Sequence, residues 1–198
     1  MSSPNTATIL IVDDEFHTRA LLEGFLHKEG YNLELAEGGA QALERVAHHP
    51  PDLILLDIMM PEVDGFTVCR QVKAHKEWRH IPIILVTALG GKEDLARGLA
   101  AGADDFIHKP VNTLELKSRV RSMLRIKRQY DQLQASLRLR EDLSHMIVHD
   151  MRTPITAIMG YTSMLQATPG LPAATVEEIE KIYTQAQRLN LFLNDMLM

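Results

Sequence analysis

The chain has 198 residues, of which 45% are hydrophobic and 24% are charged, so it can bury the core of one or two domains. Its single cysteine, Cys69, excludes an internal disulfide and fits the cytoplasm, and it has neither a run of about 18 apolar residues for a membrane span nor a secretory signal. The formal net charge is −5, and residues 1–124 carry the whole acidic excess, which disfavours nucleic acid or an anionic membrane as a partner and suits a divalent cation.

Up to about residue 124, short apolar runs alternate with amphipathic helical patterns. The apolar runs predict five strands, at residues 8–12, 32–36, 53–56, 83–86 and 105–108. The patterns between them predict helices over residues 15–29, 39–48, 64–75 and 91–101. Asn112 and Glu115 form an N-cap pair that opens a fifth helix. This alternation predicts an α/β fold with a parallel, doubly wound sheet, whose ligands bind at the carboxyl ends of the strands.

Polar side chains occupy those strand ends, at Asp13, Asp14, Asp57, Thr87 and Lys109. Carboxylates that converge from two strand ends repel one another and need a cation, and hard oxygen ligands suit Mg²⁺. A lysine and a hydroxyl beside them complete a site for a transferred phosphoryl group, because Lys⁺ and the metal offset its charge. Any one of these acids could be a simple helix N-cap, but that explanation does not account for the whole set.

Four runs carry a family resemblance: IVDDE at 11–15, LLDIMMPEVDG at 55–65, VTA at 86–88 and HKP at 108–110. Together they closely resemble the receiver domain of two-component response regulators over about residues 7–124. We assign residues 1–124 to this domain. The resemblance implies a five-stranded, flavodoxin-like fold.

By that resemblance, Asp57 is the phosphoacceptor. Asp14 is implied as a direct Mg²⁺ ligand, Asp13 as a ligand that assists partly through water, and the backbone carbonyl of Met59 as the remaining protein ligand. Lys109 is implied to pair with the phosphoryl oxygens, and its bond to the following proline is expected to be cis.

The resemblance also implies a conformational switch. Thr87 moves to bond the phosphate, and Phe106, at a position often occupied by tyrosine in the family, swings inward behind it. Because Phe106 has no hydroxyl, it can report the switch by packing alone. Met59 and Leu89, which flank the phosphate in the family, are apolar here, so they should hinder an attacking water and slow the dephosphorylation of Asp57.

No helix breaker occurs between Thr113 and Ser144, so the fifth helix should continue without a linker. Seam residues recur every seven positions, at Leu116, Met123, Tyr130, Leu137 and Ser144. We expect residues 125–143 to form a two-stranded coiled coil with a register change near 137–143. Beyond Met123 the seam should find no receiver surface to pack on. The basic cluster at residues 125–128 is interpreted as a solvated coil flank rather than a nucleic-acid patch.

Residues 144–165 form an amphipathic pattern that places His149 on the polar face of a helix. Pro154 should bend this helix just after the histidine. The run HDMRTP that begins at His149 resembles the H-box of sensor histidine kinases, in the dimerising helical domain that carries the phosphoacceptor histidine. The resemblance implies that an imidazole nitrogen of His149 attacks the γ-phosphate of ATP and that Asp150 holds and polarises the ring. Thr153 matches the position that helps a water attack a phosphorylated partner.

A turn at residues 167–174 separates this helix from a last one, which a capping box of Thr175 and Glu178 should open. The last helix carries an apolar seam from Ile179 to Met196. Two antiparallel helices cannot bury such seams alone, so we expect residues 144–198 to form a four-helix bundle in a parallel homodimer. The whole chain is therefore predicted to be α/β plus all-α.

Histidine kinases need a separate ATP-binding domain after the bundle, and this sequence has no glycine-rich nucleotide loop. We therefore expect a fragment of a cytoplasmic histidine kinase that does not phosphorylate itself from ATP alone. Phosphorylation of Asp57 should act through the continuous helix on His149, with a partner kinase or response regulator as phosphoryl donor or acceptor. Two alternatives stay open: a non-kinase phosphotransfer or phosphatase dimer, and a response regulator whose coil is a scaffold.

Overall fold

The computed structural model describes residues 6–88 and 92–195, and the chain divides into two compact units between Asp131 and Gln132. The first unit is an α/β sandwich and the second is helical. The expected roles of Leu89 and Met196 lie outside the described residues.

Five parallel strands form one sheet in the first unit: β1 Thr8–Val12, β2 Asn32–Ala36, β3 Leu53–Asp57, β4 Ile83–Thr87 and β5 Asp105–His108. Their order across the sheet is β2-β1-β3-β4-β5. Val12 pairs with Leu56, and Asp57 pairs with Val86, so the carboxyl ends of the central strands lie side by side. This order confirms the doubly wound sheet expected from the alternating pattern.

Helices cover both faces of this sheet: α1 Phe16–Leu26, which ends in a 3-10 turn His27–Glu29, α2 Gly39–His48, α3 Gly65–Ala74 and α4 Lys92–Ala100. One apolar core packs α2 and α3 against side chains such as Leu10 and Ile54. The other packs α1 and the helix after β5 against side chains such as Ile11 and Leu55. The middle strands are buried on both faces, which explains why their sequences show no polar alternation.

The helix after β5, α5 Thr113–Gln166, is one continuous element, as the lack of helix breakers predicts. The Asn112 side chain accepts hydrogen bonds from the amides of Leu114 (2.9 Å) and Glu115 (3.2 Å), which confirms the predicted N-cap. The first turns of α5 pack on the sheet through Leu116, Val120 and Leu124, all almost completely buried.

The receiver surface extends further along α5 than we expected. Lys127 is only 8% exposed, and its amine bonds Asp131 at 2.7 Å. The Tyr130 ring stacks on His80, in the loop after α3, with 5.1 Å between ring centroids. The expectation that no packing surface remains beyond Met123 is therefore wrong, because the loop that leads into β4 places His80 against Tyr130, two turns further along the helix.

The second unit pairs the C-terminal part of α5 with α6 Ala173–Asp195. Helix α6 begins two residues before Thr175, and the Pro172 carbonyl accepts hydrogen bonds from the amides of Thr175 and Val176. The predicted capping box is therefore wrong. The two helices share a small core of Val148, Ile155, Ala186 and Leu193.

Part of the seam on these two helices stays open to solvent in the single chain. Ile158, Ile182 and Leu189 are each at least 41% exposed and line one groove between α5 and α6. Such a strip suits the predicted helical partner, whose presence stays a prediction. Among the described helices, not one combines the length and apolar character that crossing a bilayer requires.

Candidate functional site

Two nearly buried carboxylates lie at adjacent strand ends. Asp13 follows β1 and Asp57 ends β3, and their residues are only 1% and 4% exposed. Asp13 accepts a hydrogen bond from the Glu15 amide (2.9 Å), and Asp57 accepts one from the Met59 amide (2.6 Å). Asp14, the next residue along, is exposed. Because buried carboxylates are costly without positive charge nearby, this edge of the sheet needs cations.

Lys109 supplies the first cation. Its ammonium lies 2.8 Å from Asp13 Oδ2 and 2.6 Å from Asp57 Oδ1, so it bridges the two acids. Its peptide bond to Pro110 is cis, as expected, and its amide donates to the Thr87 carbonyl at 2.8 Å. The structure therefore brings the ends of β1, β3, β4 and β5 together around one ammonium group.

The charges at this edge are not fully balanced by Lys109. Burial raises the pKa of Asp13 despite the opposing contacts from Lys109 and the Glu15 amide. Burial by itself would lower the pKa of Lys109, but its hydrogen bonds to Asp13 and Asp57 outweigh that, and the pKa is raised. Lys109 therefore stays charged at neutral pH, and the desolvated carboxylate of Asp13 would be stabilised by further positive charge.

The donor set at this edge suits a hard divalent cation. Asp13, Asp14 and Asp57 offer carboxylate oxygens, and Met59 adds a backbone carbonyl two residues after Asp57, which is the oxygen chemistry that Mg²⁺ prefers. In the described part of the chain, no three His, Cys, Asp or Glu side chains are grouped closely enough to hold a metal by themselves. A site here would thus depend on the carbonyl and on waters.

Thr87 and Phe106 line one pocket beside the acidic edge. Thr87 ends β4 and is 5% exposed, and Phe106 lies half-buried in β5. The pocket is partly open to solvent, has a cavity volume of about 20 Å³, and is also lined by Leu85 and Leu99. The Phe106 ring contacts His108 edge-on at 5.3 Å between centroids. That cavity has room for about one water molecule, so the inward movement of Phe106 would need its neighbours to shift, and it stays a prediction.

Sequence reasoning missed Arg19. This arginine lies on α1, is 6% exposed, and donates to the backbone carbonyls of Asp13 (2.7 Å) and Asp14 (3.0 Å). A signal was available, because Arg19 shares the buried face of α1 with Leu22 and Leu26 at helical spacing. An arginine on a buried face must find acceptors, and the residue pattern by itself did not identify them.

The second candidate site is the exposed face of α5 in the helical unit. The His149 side chain is 81% exposed, and its Nδ1 atom lies 3.1 Å from Asp150 Oδ1. Thr153, one turn further on, is also exposed. If the Nδ1–H donates to Asp150, the lone pair of Nε2 is directed away from that contact and is free to act as a nucleophile.

Two families match the chain in succession. Residues 9–121 match the response regulator receiver domain, and residues 139–198 match the His Kinase A (phospho-acceptor) domain.

Curated relatives align with this chain over lengths close to that of its receiver-domain match. The response regulator PleD of Caulobacter vibrioides is 48% identical over 128 residues, which cover 65% of this chain and 28% of that protein. The transcriptional regulatory protein ResD of Bacillus subtilis is 42% identical over 125 residues, covering 63% of this chain and 51% of that protein. The chain thus spans from 28% to 51% of the length of these relatives.

Solved structures match the α/β part. The signal receiver domain of a signal transduction histidine kinase from Syntrophus aciditrophicus is 39% identical with a TM-score of 0.57, covering 60% of this chain and 90% of that one. A CheY-like response regulator receiver domain protein from Methanospirillum hungatei is 31% identical with a TM-score of 0.59, covering 64% of this chain and 99% of that one.

Proposed function

We propose, for a chain that belongs to the response regulator receiver family and continues into a His Kinase A (phospho-acceptor) domain, that Asp57 and His149 are its two phosphorylated side chains. Both domains belong to two-component phosphorelay signalling. The observation that carries the proposal is the bridge from Lys109 to Asp13 and Asp57, because it creates a desolvated, cation-dependent edge at the strand ends.

At Asp57, a carboxylate oxygen attacks the phosphorus of a phosphohistidine on a partner protein. The P–N bond breaks as the P–O bond forms, and the imidazole keeps the electron pair and takes a proton. Lys109 offsets the negative charge on the transferred oxygens, and Thr87 bonds one of them. Asp13, Asp14, Asp57 and the Met59 carbonyl would hold Mg²⁺, which supplies further charge neutralisation when bound.

At His149, the Nε2 atom attacks the γ-phosphorus of ATP, and the bond to the departing ADP oxygen breaks. Asp150 holds the ring in the tautomer that leaves Nε2 unprotonated, which is supported by its 3.1 Å contact with Nδ1. Thr153 orients a water for the reverse function, removal of phosphate from a partner. ATP itself would be bound by the nucleotide-binding domain that histidine kinases place after this bundle.

Regulation runs between the two sites through α5, in a cytoplasmic homodimer. Phosphorylation of Asp57 shifts Thr87 and Phe106, changes the surface of the first unit, and alters the pairing of residues 125–143. That change resets the accessibility of His149. The exposed strip on the helical hairpin supports the homodimer, because a second copy would bury it.

The experiment uses the longest natural form of the protein with radiolabelled ATP and Mg²⁺. Label that is labile in acid and stable in alkali should appear in the wild type and in His145→Gln, and should vanish in His149→Gln. His145 is a matched control because it is equally a histidine on the exposed surface of α5, one turn earlier, without a following acid.

The same experiment tests the receiver half. An alkali-labile label should appear when phosphorylated partner or a small acyl phosphate is added, should survive in Asp52→Asn, and should vanish in Asp57→Asn. If ATP gives no label but a partner still phosphorylates His149, the kinase function is wrong and a phosphotransfer module remains. If His149 accepts no phosphate from any source while Asp57 does, the scaffold alternative is correct.

A further inference from the structure

We infer that Arg19 is a positioning residue for the cation site: its guanidinium holds the peptide carbonyls of Asp13 and Asp14, and thereby sets where their carboxylates stand. The inference rests on the proposed cation binding at the acidic edge and extends it to a residue outside the donor set.

The contacts of Arg19 are directed at the backbone that carries the acids. One terminal nitrogen, Nη1, donates to both carbonyls, at 2.7 Å for Asp13 and 3.0 Å for Asp14. The other, Nη2, donates to Glu37 at 2.9 Å. On the opposite side, the Asp13 amide donates to the Ala36 carbonyl at 3.2 Å, so the turn is held from both sides.

Burial makes this arrangement rigid. The Arg19 side chain is 7% exposed, so water cannot replace its hydrogen bonds at low cost. Its planar fork can serve two carbonyls and a carboxylate together, whereas a lysine amine on a flexible stem cannot reproduce that geometry. Because peptide groups are planar, fixing two successive carbonyls fixes the directions in which the Asp13 and Asp14 side chains leave the chain.

Charge and geometry predict opposite effects, which separates them. If Arg19 acted only through its charge, removing it would reduce repulsion and strengthen cation binding. If it acts by positioning, Arg19→Lys keeps the charge, loses the fork, and should weaken binding about tenfold, the typical cost of removing a residue that orients metal ligands.

The test measures Mn²⁺ binding to the full 198-residue chain by the electron paramagnetic resonance signal of free Mn²⁺, with Mg²⁺ as competitor. Asp14→Asn should abolish the Mn²⁺ binding that Mg²⁺ competes with, which identifies the site. Glu37→Gln is the matched control, because it leaves both carbonyl contacts of Arg19 in place; it should bind within twofold of the wild type. Arg19→Gln, which leaves no buried charge, should also bind more weakly.

Folding is monitored in the same samples by urea denaturation, followed through Trp78 fluorescence. A purely structural arginine would lower the denaturation midpoint and leave the Mn²⁺ affinity of the folded protein unchanged. If the wild type binds Mn²⁺ and both Arg19→Lys and Arg19→Gln bind it with the same affinity, the inference is overturned and the proposed function stays intact. A wild type that binds no Mn²⁺ would overturn both.

Discussion

Replacing Lys109 with methionine tests how the acidic edge is stabilised. The substitution keeps most of the side-chain volume but removes the ammonium that bonds Asp13 and Asp57. Removing one partner from a buried ion pair typically costs about 3–5 kcal/mol, because the remaining charge is left desolvated. Since the Lys109 side chain is 23% exposed, we expect the lower end of that range, about 3 kcal/mol at pH 8 without divalent cations.

The loss should depend on pH in a direction that follows from the carboxylates. Burial already raises the pKa of Asp13 above its ordinary value of 3.8, and without Lys109 the pKa should rise further. A group whose folded-state pKa exceeds its unfolded value binds more protons when folded, so stability falls as pH rises through that window. The deficit of Lys109→Met should therefore be largest at pH 8 and should shrink at pH 5.

The assay is urea denaturation followed by fluorescence of Trp78, the single tryptophan of the chain, in buffer containing EDTA. Trp78 lies in the first unit, packed against one core of the sheet, so it reports that unit by itself. Lys117→Met is the matched control: its partner Glu29 keeps a second cation, Arg121, at 2.6 Å, so the loss should be much smaller.

A double variant separates the contributions of the two acids. Lys109→Met with Asp13→Asn should recover about half of the lost stability, because only one of the two carboxylates then stays without its cation. Adding Mg²⁺ should also stabilise Lys109→Met more than the wild type. A loss of stability below about 1 kcal/mol at pH 8 would refute the charge explanation, since losses of that size are typical of exposed ion pairs. An equal loss at pH 5 and pH 8 would also refute it.

Three further variants test other parts of the first unit. Gly65→Ala should destabilise the first unit by about 3 kcal/mol, the upper end of the usual cost of overpacking. The new Cβ would meet the Asp57 carbonyl and lie 2.8 Å from the Ile58 backbone, and an unchanged urea midpoint would contradict this. Burial, aided by Lys127, lowers the pKa of His80 below 6.5, so stability should fall as pH drops below that value, and His80→Phe should remove this slope; an identical slope in both proteins would show that His80 is not the cause. Met59→Asn combined with Leu89→Glu should speed the loss of phosphate from Asp57, measured by release of labelled phosphate, and an unchanged rate would mean that apolar flanks do not exclude the water.

Local patterns were sufficient to predict most of the fold. Apolar runs without alternation identified the middle strands, because a strand buried on both faces has no polar positions. The Asn112 cap and the unbroken α5 were also predictable, since capping and the lack of breakers act over a few residues. The predicted capping box of Thr175 and Glu178 was wrong, because α6 begins at Ala173 and the Pro172 carbonyl accepts its first hydrogen bonds.

The residues that meet at the candidate site were predictable from the sequence, but the hydrogen bonds between them were not. Parallel strands bring their carboxyl ends to one edge, so Asp13, Asp57 and Lys109 could be placed together from element order. The sequence could not specify that one ammonium bridges both acids, because 96 residues separate Lys109 from Asp13 and 52 separate it from Asp57.

The sequence by itself therefore determined the order of strands and helices, the two domain families and the polar residues at the strand ends, because periodicity, caps and short motifs are local properties of the chain. Only the tertiary structure decided that Arg19 holds the backbone of Asp13 and Asp14 and that Tyr130 stacks on His80. The reason is physical: each of these contacts depends on which surfaces meet after the helices pack, and a helical repeat predicts a buried face without naming the residue that covers it.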